Sequence, residues 1–72
     1  MAKILIIDDD TSLRRVLEYN LLEEGYEVAA AADGEAGLRL FAEQQPDLVV
    51  TDLKMPGMSG FQVLQQVKEQ SP

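Results

Sequence analysis

Four aspartates offer the clearest chemistry in this sequence. Asp8, Asp9 and Asp10 directly follow one apolar run, and Asp52 directly follows another. In open parallel α/β sheets, sites form at the carboxyl ends of the strands, where the strand order reverses. If these two apolar runs are neighbouring strands, Asp8, Asp9 and Asp52 converge on one crevice.

A crevice lined by carboxylates favours a divalent cation. Two carboxylates about 4 Å apart repel by roughly 4 kcal/mol at an effective dielectric constant of 20. Mg²⁺ relieves that repulsion because it accepts carboxylate and carbonyl oxygens, keeps several waters and shares phosphoryl oxygens. Helix capping is the competing interpretation, and it is favoured for Asp10 and equally open for Asp8 and Asp9. Asp52 precedes a loop-like segment, so it has no obvious helix to cap.

The composition excludes other chemistries. The 72 residues allow one small domain, and they contain no Cys, His or Trp. Disulfides, Cys/His zinc sites and catalysis by a His or Cys base or nucleophile are therefore excluded. The net charge of −7 argues against direct contact with nucleic acid. The longest apolar run, Ile4–Ile7, is too short to span a membrane, and the lack of cysteine fits the cytoplasm.

Apolar periodicity predicts the elements that position the aspartates. The predicted strands are Lys3–Ile7, Tyr26–Ala31 and Asp47–Thr51. The predicted helices run from Thr11 to Glu24, from the cap Asp33 to the break at Pro46, and from the capping box Ser59–Gln62 towards Ser71. This alternation predicts an α/β fold with a parallel sheet and right-handed crossovers. The first and third strands lack polar alternation, which predicts burial on both faces.

Five segments in this order carry a family resemblance. They are Lys3–Asp10, Gly25–Val28, Ala32–Gly34, Pro46–Asp52 and Met55–Gly60. Together they resemble the receiver domain of bacterial two-component response regulators. An apolar strand followed by two aspartates is common, but its combination with Asp52 and Met55–Gly60 at this distance is specific. The resemblance implies the first three βα units of a flavodoxin-like doubly wound parallel sheet, with strand order 2-1-3.

The same resemblance implies a role for each acidic residue. Asp52 would be the phospho-acceptor that attacks the phosphohistidine of a sensor histidine kinase. Asp9 and Asp52 would bind Mg²⁺ directly, and Asp8 would bind it mainly through water. The backbone carbonyl of Lys54 would complete the protein ligands. The implied protein is a signalling module, not an enzyme, and it works in the cytoplasm without contacting a membrane.

The resemblance stops after three of the five strand–helix units of a receiver. The family's Ser/Thr after strand four, its aromatic residue on strand five and its Lys after strand five have no counterpart here. Residues 1–72 are therefore predicted to be a truncated, partial receiver domain whose phosphorylation is impaired. The face beside the first helix would be partly bare, and Leu48–Val50 would form an open edge, which predicts a homo-oligomer.

Two alternative functions stay open at this point. Ile4–Leu13 also approximates the haloacid-dehalogenase phosphatase signature, with Asp8 as nucleophile and Asp10 as general acid. That signature leaves Asp52 and the following Met55–Gly57 unexplained, and the chain has no room for that family's later motifs. The other alternative is a functionally silent fragment that folds by self-association.

Overall fold

The computed structural model describes residues 2–52 and 57–70, in which strands and helices alternate. The elements are β1 (Lys3–Ile7), α1 (Thr11–Glu23), β2 (Glu27–Ala31), α2 (Gly34–Gln44), β3 (Leu48–Thr51) and α3 (Gly60–Gln70). Each strand boundary lies within one residue of its predicted position. Over the described residues, no helix combines the length and the apolar character needed to cross a membrane.

The three strands form one parallel sheet in the order β2-β1-β3. In its register Ile4 pairs with Val28 on one side and with Leu48 on the other. The predicted α/β fold with flavodoxin-like strand order 2-1-3 is therefore confirmed. Because β1 lies in the centre and runs parallel to β3, the carboxyl ends of these two strands are adjacent.

One face of the sheet carries the main core and is covered by α2 and α3. Leu5, Ile7, Ala31 and Val63 are buried together there. The close approach of α2 depends on Gly37, which is itself buried. A Cβ atom at this position would lie 2.4 Å from Ile7 Cδ1. A glycine inside a helix ordinarily costs about 1 kcal/mol relative to alanine, whereas this one makes room for Ile7 beneath the helix.

The opposite face is covered only in part. α1 packs over β2 and β1 but has no buried residue of its own. Beneath it Ile4 and Ile6 are buried, whereas Leu48 and Val50 on β3 are 54% and 40% exposed. The prediction that the third strand is buried on both faces is therefore wrong, because α1 leaves the β3 side of this face open. The predicted partly bare face is confirmed.

Candidate functional site

The candidate site lies where β1 and β3 end. Ile7 and Thr51, the last residues of these strands, are register partners. The parallel ladder continues one residue further, because the Asp52 amide donates to the Ile7 carbonyl over 3.0 Å. On the other side of β1, the Asp8 amide donates to the Ala31 carbonyl over 3.1 Å. Backbone pairing thus brings Asp8 and Asp52 to the same edge of the sheet.

The predicted convergence of three aspartates is observed. One carboxylate oxygen from each of Asp8, Asp9 and Asp52 lies within 4.8 Å of the other two. Asp8 is buried, whereas Asp9 and Asp52 are exposed, so solvent reaches the cluster from one side. Three anionic oxygens and access to water fit a hard cation such as Mg²⁺, which keeps several waters when bound to protein.

Asp8 is held by two hydrogen bonds from the beginning of α1. Its Oδ1 accepts from the Asp10 amide over 2.9 Å, and its backbone carbonyl accepts from Arg14 Nη1 over 2.7 Å. Buried polar groups are costly unless they are hydrogen-bonded. Both the side chain and the main chain of this buried aspartate therefore have partners.

Asp10 is the N-cap of α1, in agreement with the capping interpretation. Its Oδ1 accepts from the Leu13 amide over 3.1 Å, and its backbone is extended, as is typical of a cap. The observed acidic cluster consists of Asp8, Asp9 and Asp52 and does not include Asp10. This arrangement fits a cap better than the general acid that the dehalogenase alternative requires.

The far end of the β3–α3 connection is anchored on α2. Ser59 and Gln62 form the predicted capping box, with the Ser59 amide donating to Gln62 Oε1 over 2.9 Å and the Gln62 amide donating to Ser59 Oγ over 3.3 Å. Gly34 lies against this segment, since a Cβ atom there would be 2.9 Å from Met58 Cβ. Lys54, whose carbonyl is a predicted ligand, lies outside the described residues.

Sequence reasoning missed Arg14 and Gly34 as residues that support the site. An arginine near the start of an amphipathic helix is ordinarily solvated, so the residue type alone does not indicate a role at the site. A glycine after a capping aspartate is equally uninformative by itself. Asp10 does mark the start of α1, but the contact between Arg14 and the Asp8 carbonyl depends on how the helix leaves the sheet.

The comparison with protein families is decisive for the class of protein. The family model described as the response regulator receiver domain matches residues 4–72. The chain therefore belongs to the response regulator receiver domain family. Receiver domains act in phosphorelay signalling. This assignment does not support the haloacid-dehalogenase alternative.

Individual relatives agree with this assignment. The chain is 46% identical over 68 residues to the transcriptional regulatory protein AfsQ1 of Streptomyces coelicolor, covering 94% of this chain and 30% of the relative. Among solved structures, the chain is similar to a response regulator receiver domain protein from Clostridium thermocellum, with 39% sequence identity and a TM-score of 0.96. The match covers 100% of this chain and 59% of that one.

A further solved relative is the response regulator TrrA of Thermotoga maritima, crystallised in complex with Mg²⁺-BeF. It is 39% identical with a TM-score of 0.93, and the match covers 99% of this chain and 62% of that one. TrrA has also been solved in complex with the histidine kinase ThkA. This chain therefore spans about 30% of AfsQ1 and about 60% of the solved receiver chains.

Proposed function

We propose that this chain is a Mg²⁺-dependent phospho-acceptor module in which Asp52 receives a phosphoryl group. The observation that carries the proposal is the meeting of Asp8, Asp9 and Asp52 within 4.8 Å at the ends of β1 and β3. In a member of the receiver family, such a cluster provides both a nucleophile and ligands for a hard cation. The solved TrrA complex with Mg²⁺-BeF supports the choice of Mg²⁺.

Asp52 is the nucleophile in this proposal. Its carboxylate is exposed, so a phosphodonor can approach it from solvent. A carboxylate oxygen of Asp52 forms a bond to phosphorus, while the bond from phosphorus to the donor's imidazole nitrogen breaks. The electron pair of that bond leaves with the imidazole, and Asp52 becomes an acyl phosphate.

Asp8 and Asp9 hold the cation beside this nucleophile. We propose that Asp9 and Asp52 contact it directly, that Asp8 acts mainly through water, and that the Lys54 carbonyl adds a ligand. When bound, Mg²⁺ offsets the repulsion between the acidic cluster and the incoming phosphoryl anion and stabilises charge during transfer. Asp8 is buried, and a hydrogen bond from the Asp10 amide orients its carboxylate.

We propose that the chain acts in the cytoplasm and that its partner is a sensor histidine kinase. The complex of TrrA with ThkA supports a kinase as phosphodonor, and AfsQ1 is a transcriptional regulatory protein. We propose that phosphorylation of Asp52 in the parent protein switches a downstream output.

The test is the intact mass of the chain after incubation with a small-molecule phosphodonor, with and without Mg²⁺. We expect a gain of one phosphoryl group that requires Mg²⁺ and is lost in Asp52→Asn. Asp10→Asn is the matched control, because asparagine caps a helix as well as aspartate does and Asp10 lies outside the cluster. Phosphorylation of Asp52→Asn, or none in the folded unchanged chain, would contradict the proposal.

We also propose that the chain forms a homo-oligomer. The sheet order places β3 at an edge, and Leu48 and Val50 expose apolar surface beside it. An apolar edge strand without Lys or Pro is prone to pair with another chain. Sedimentation equilibrium at high micromolar concentration is expected to give a mass above that of the monomer, and a folded monomer there would refute this proposal.

A further inference from the structure

We infer that Arg14 is a positioning residue of the acidic site, because its guanidinium fixes the main chain of Asp8 and thereby the placement of the Asp8 carboxylate. The consequence for metal binding rests on the proposed function. The contact between Arg14 and Asp8 does not depend on the proposed function, since it is present in the metal-free chain.

The first support is the hydrogen bond between Arg14 and the Asp8 carbonyl. Its length of 2.7 Å is at the short end for a nitrogen donor, as expected when the donor carries a charge. The contact is partly buried, so water competes with it less than at an exposed site. Asp8 follows the last residue of β1, and its carbonyl obtains this partner from α1.

The second support is the contact at the other end of the same residue. Asp8 Oδ1 accepts from the Asp10 amide over 2.9 Å, and Asp10 in turn caps α1. The beginning of α1 therefore holds Asp8 at two points, the carbonyl through Arg14 and the carboxylate through Asp10. If the bond from Arg14 is lost, the main chain of Asp8 is less fixed, and the bond from the Asp10 amide holds the carboxylate less firmly in place.

Arg14 donates to the backbone carbonyl of Asp8 and not to its carboxylate, so the contact is not a simple ion pair. The Arg14 hydrogen bond goes to a neutral carbonyl, so the guanidinium does not occupy the Asp8 carboxylate oxygens, which stay available to the water molecules of a bound cation. Arg15 provides a matched comparison, because it carries the same charge on the same helix but is exposed. A general effect of helix charge would therefore affect both positions, whereas positioning would affect Arg14 alone.

The experiment compares Arg14→Ala, Arg14→Lys and Arg15→Ala by NMR. In the metal-free chain, hydrogen exchange of the Asp10 amide reports its bond to Asp8. The Ala36 amide, which donates to the α2 cap Asp33 over 2.8 Å, reports a similar bond away from the site. We expect Arg14→Ala to speed Asp10 exchange by about tenfold relative to Ala36, because the bond from the Asp10 amide to Asp8 opens more often when the Asp8 main chain is no longer held.

The second measurement is the dissociation constant for Mg²⁺. We expect it to rise roughly tenfold in Arg14→Ala, to rise less in Arg14→Lys, and to stay unchanged in Arg15→Ala. Equal Asp10 exchange in Arg14→Ala and Arg15→Ala would overturn the inference, and so would tighter Mg²⁺ binding by Arg14→Ala, which indicates charge alone. If the unchanged chain binds no Mg²⁺, the proposed function fails, while Asp10 exchange still decides whether Arg14 positions Asp8.

Discussion

The two faces of the sheet are packed differently. On the face covered by α2 and α3, Leu5 and Val63 are completely buried, and Gly37 lets a helix approach Ile7 closely. On the face covered by α1, the helix has no buried residue and Leu48 is 54% exposed. We infer that the first face supplies most of the stability and that the second is available for association.

The acidic site draws on both faces. Asp8 is held from the α1 side through Asp10 and Arg14, while Met58, just before α3, lies against Gly34 at the beginning of α2. A ligand set that depends on a loosely packed helix is sensitive to local opening of that helix. The difference between the faces is therefore relevant to metal binding as well as to stability.

The strongest test of this comparison is a leucine truncation on each face. Leu5→Ala is expected to lower the free energy of unfolding by about 2–5 kcal/mol, because it leaves a cavity in the main core. Leu48→Ala should change it by about 0.5 kcal/mol or less, since that side chain is half exposed. Urea denaturation followed by circular dichroism measures both. Equal losses would show that the faces contribute alike.

A smaller effect is expected at the helix–strand contact of the closed face. Gly37→Ala should destabilise by about 1–3 kcal/mol despite the better helix propensity of alanine, because the new Cβ would lie 2.4 Å from Ile7 Cδ1. The double variant Gly37→Ala/Ile7→Val is the control and should recover part of the loss. Thermal unfolding compares the two, and a more stable Gly37→Ala would mean that α2 has room to move.

The helix caps give a third comparison at about 1 kcal/mol. Asp33→Ala removes the cap of α2 and should lower global stability by that amount. Asp10→Ala removes the cap of α1 and should chiefly speed hydrogen exchange within α1, because that helix has no buried residue to tie it to the core. Exchange measured residue by residue separates the two. Global destabilisation by Asp10→Ala of the same size would contradict the distinction.

The smallest effect on stability, and a clear one on association, is expected at the open edge. Val50→Lys should change the free energy of unfolding by about 0.5 kcal/mol or less, because Val50 is 40% exposed. A lysine on an edge strand opposes pairing with another chain, so the variant should sediment as a smaller species. Tyr19→Lys, at an exposed position on α1, is the control. If both variants associate like the unchanged chain, another surface is responsible.

Much of the fold and part of the site were predictable because they depend on local patterns. Strand and helix positions follow from apolar periodicity, and the caps Asp10, Asp33 and Ser59 act within one turn of their own helices. The meeting of Asp8, Asp9 and Asp52 also follows from the sequence, once parallel neighbouring strands are assumed.

Other features were decided only by tertiary structure. The exposure of Leu48 and Val50 depends on where α1 crosses the sheet. The sequence of an apolar strand does not indicate whether a helix covers it. The room that Gly37 makes for Ile7 and the bond from Arg14 to the Asp8 carbonyl are likewise contacts between separate elements. Residue types and spacing determine which elements form and which chemistry they carry. Long-range packing determines which surfaces are closed and which side chains hold the site in place.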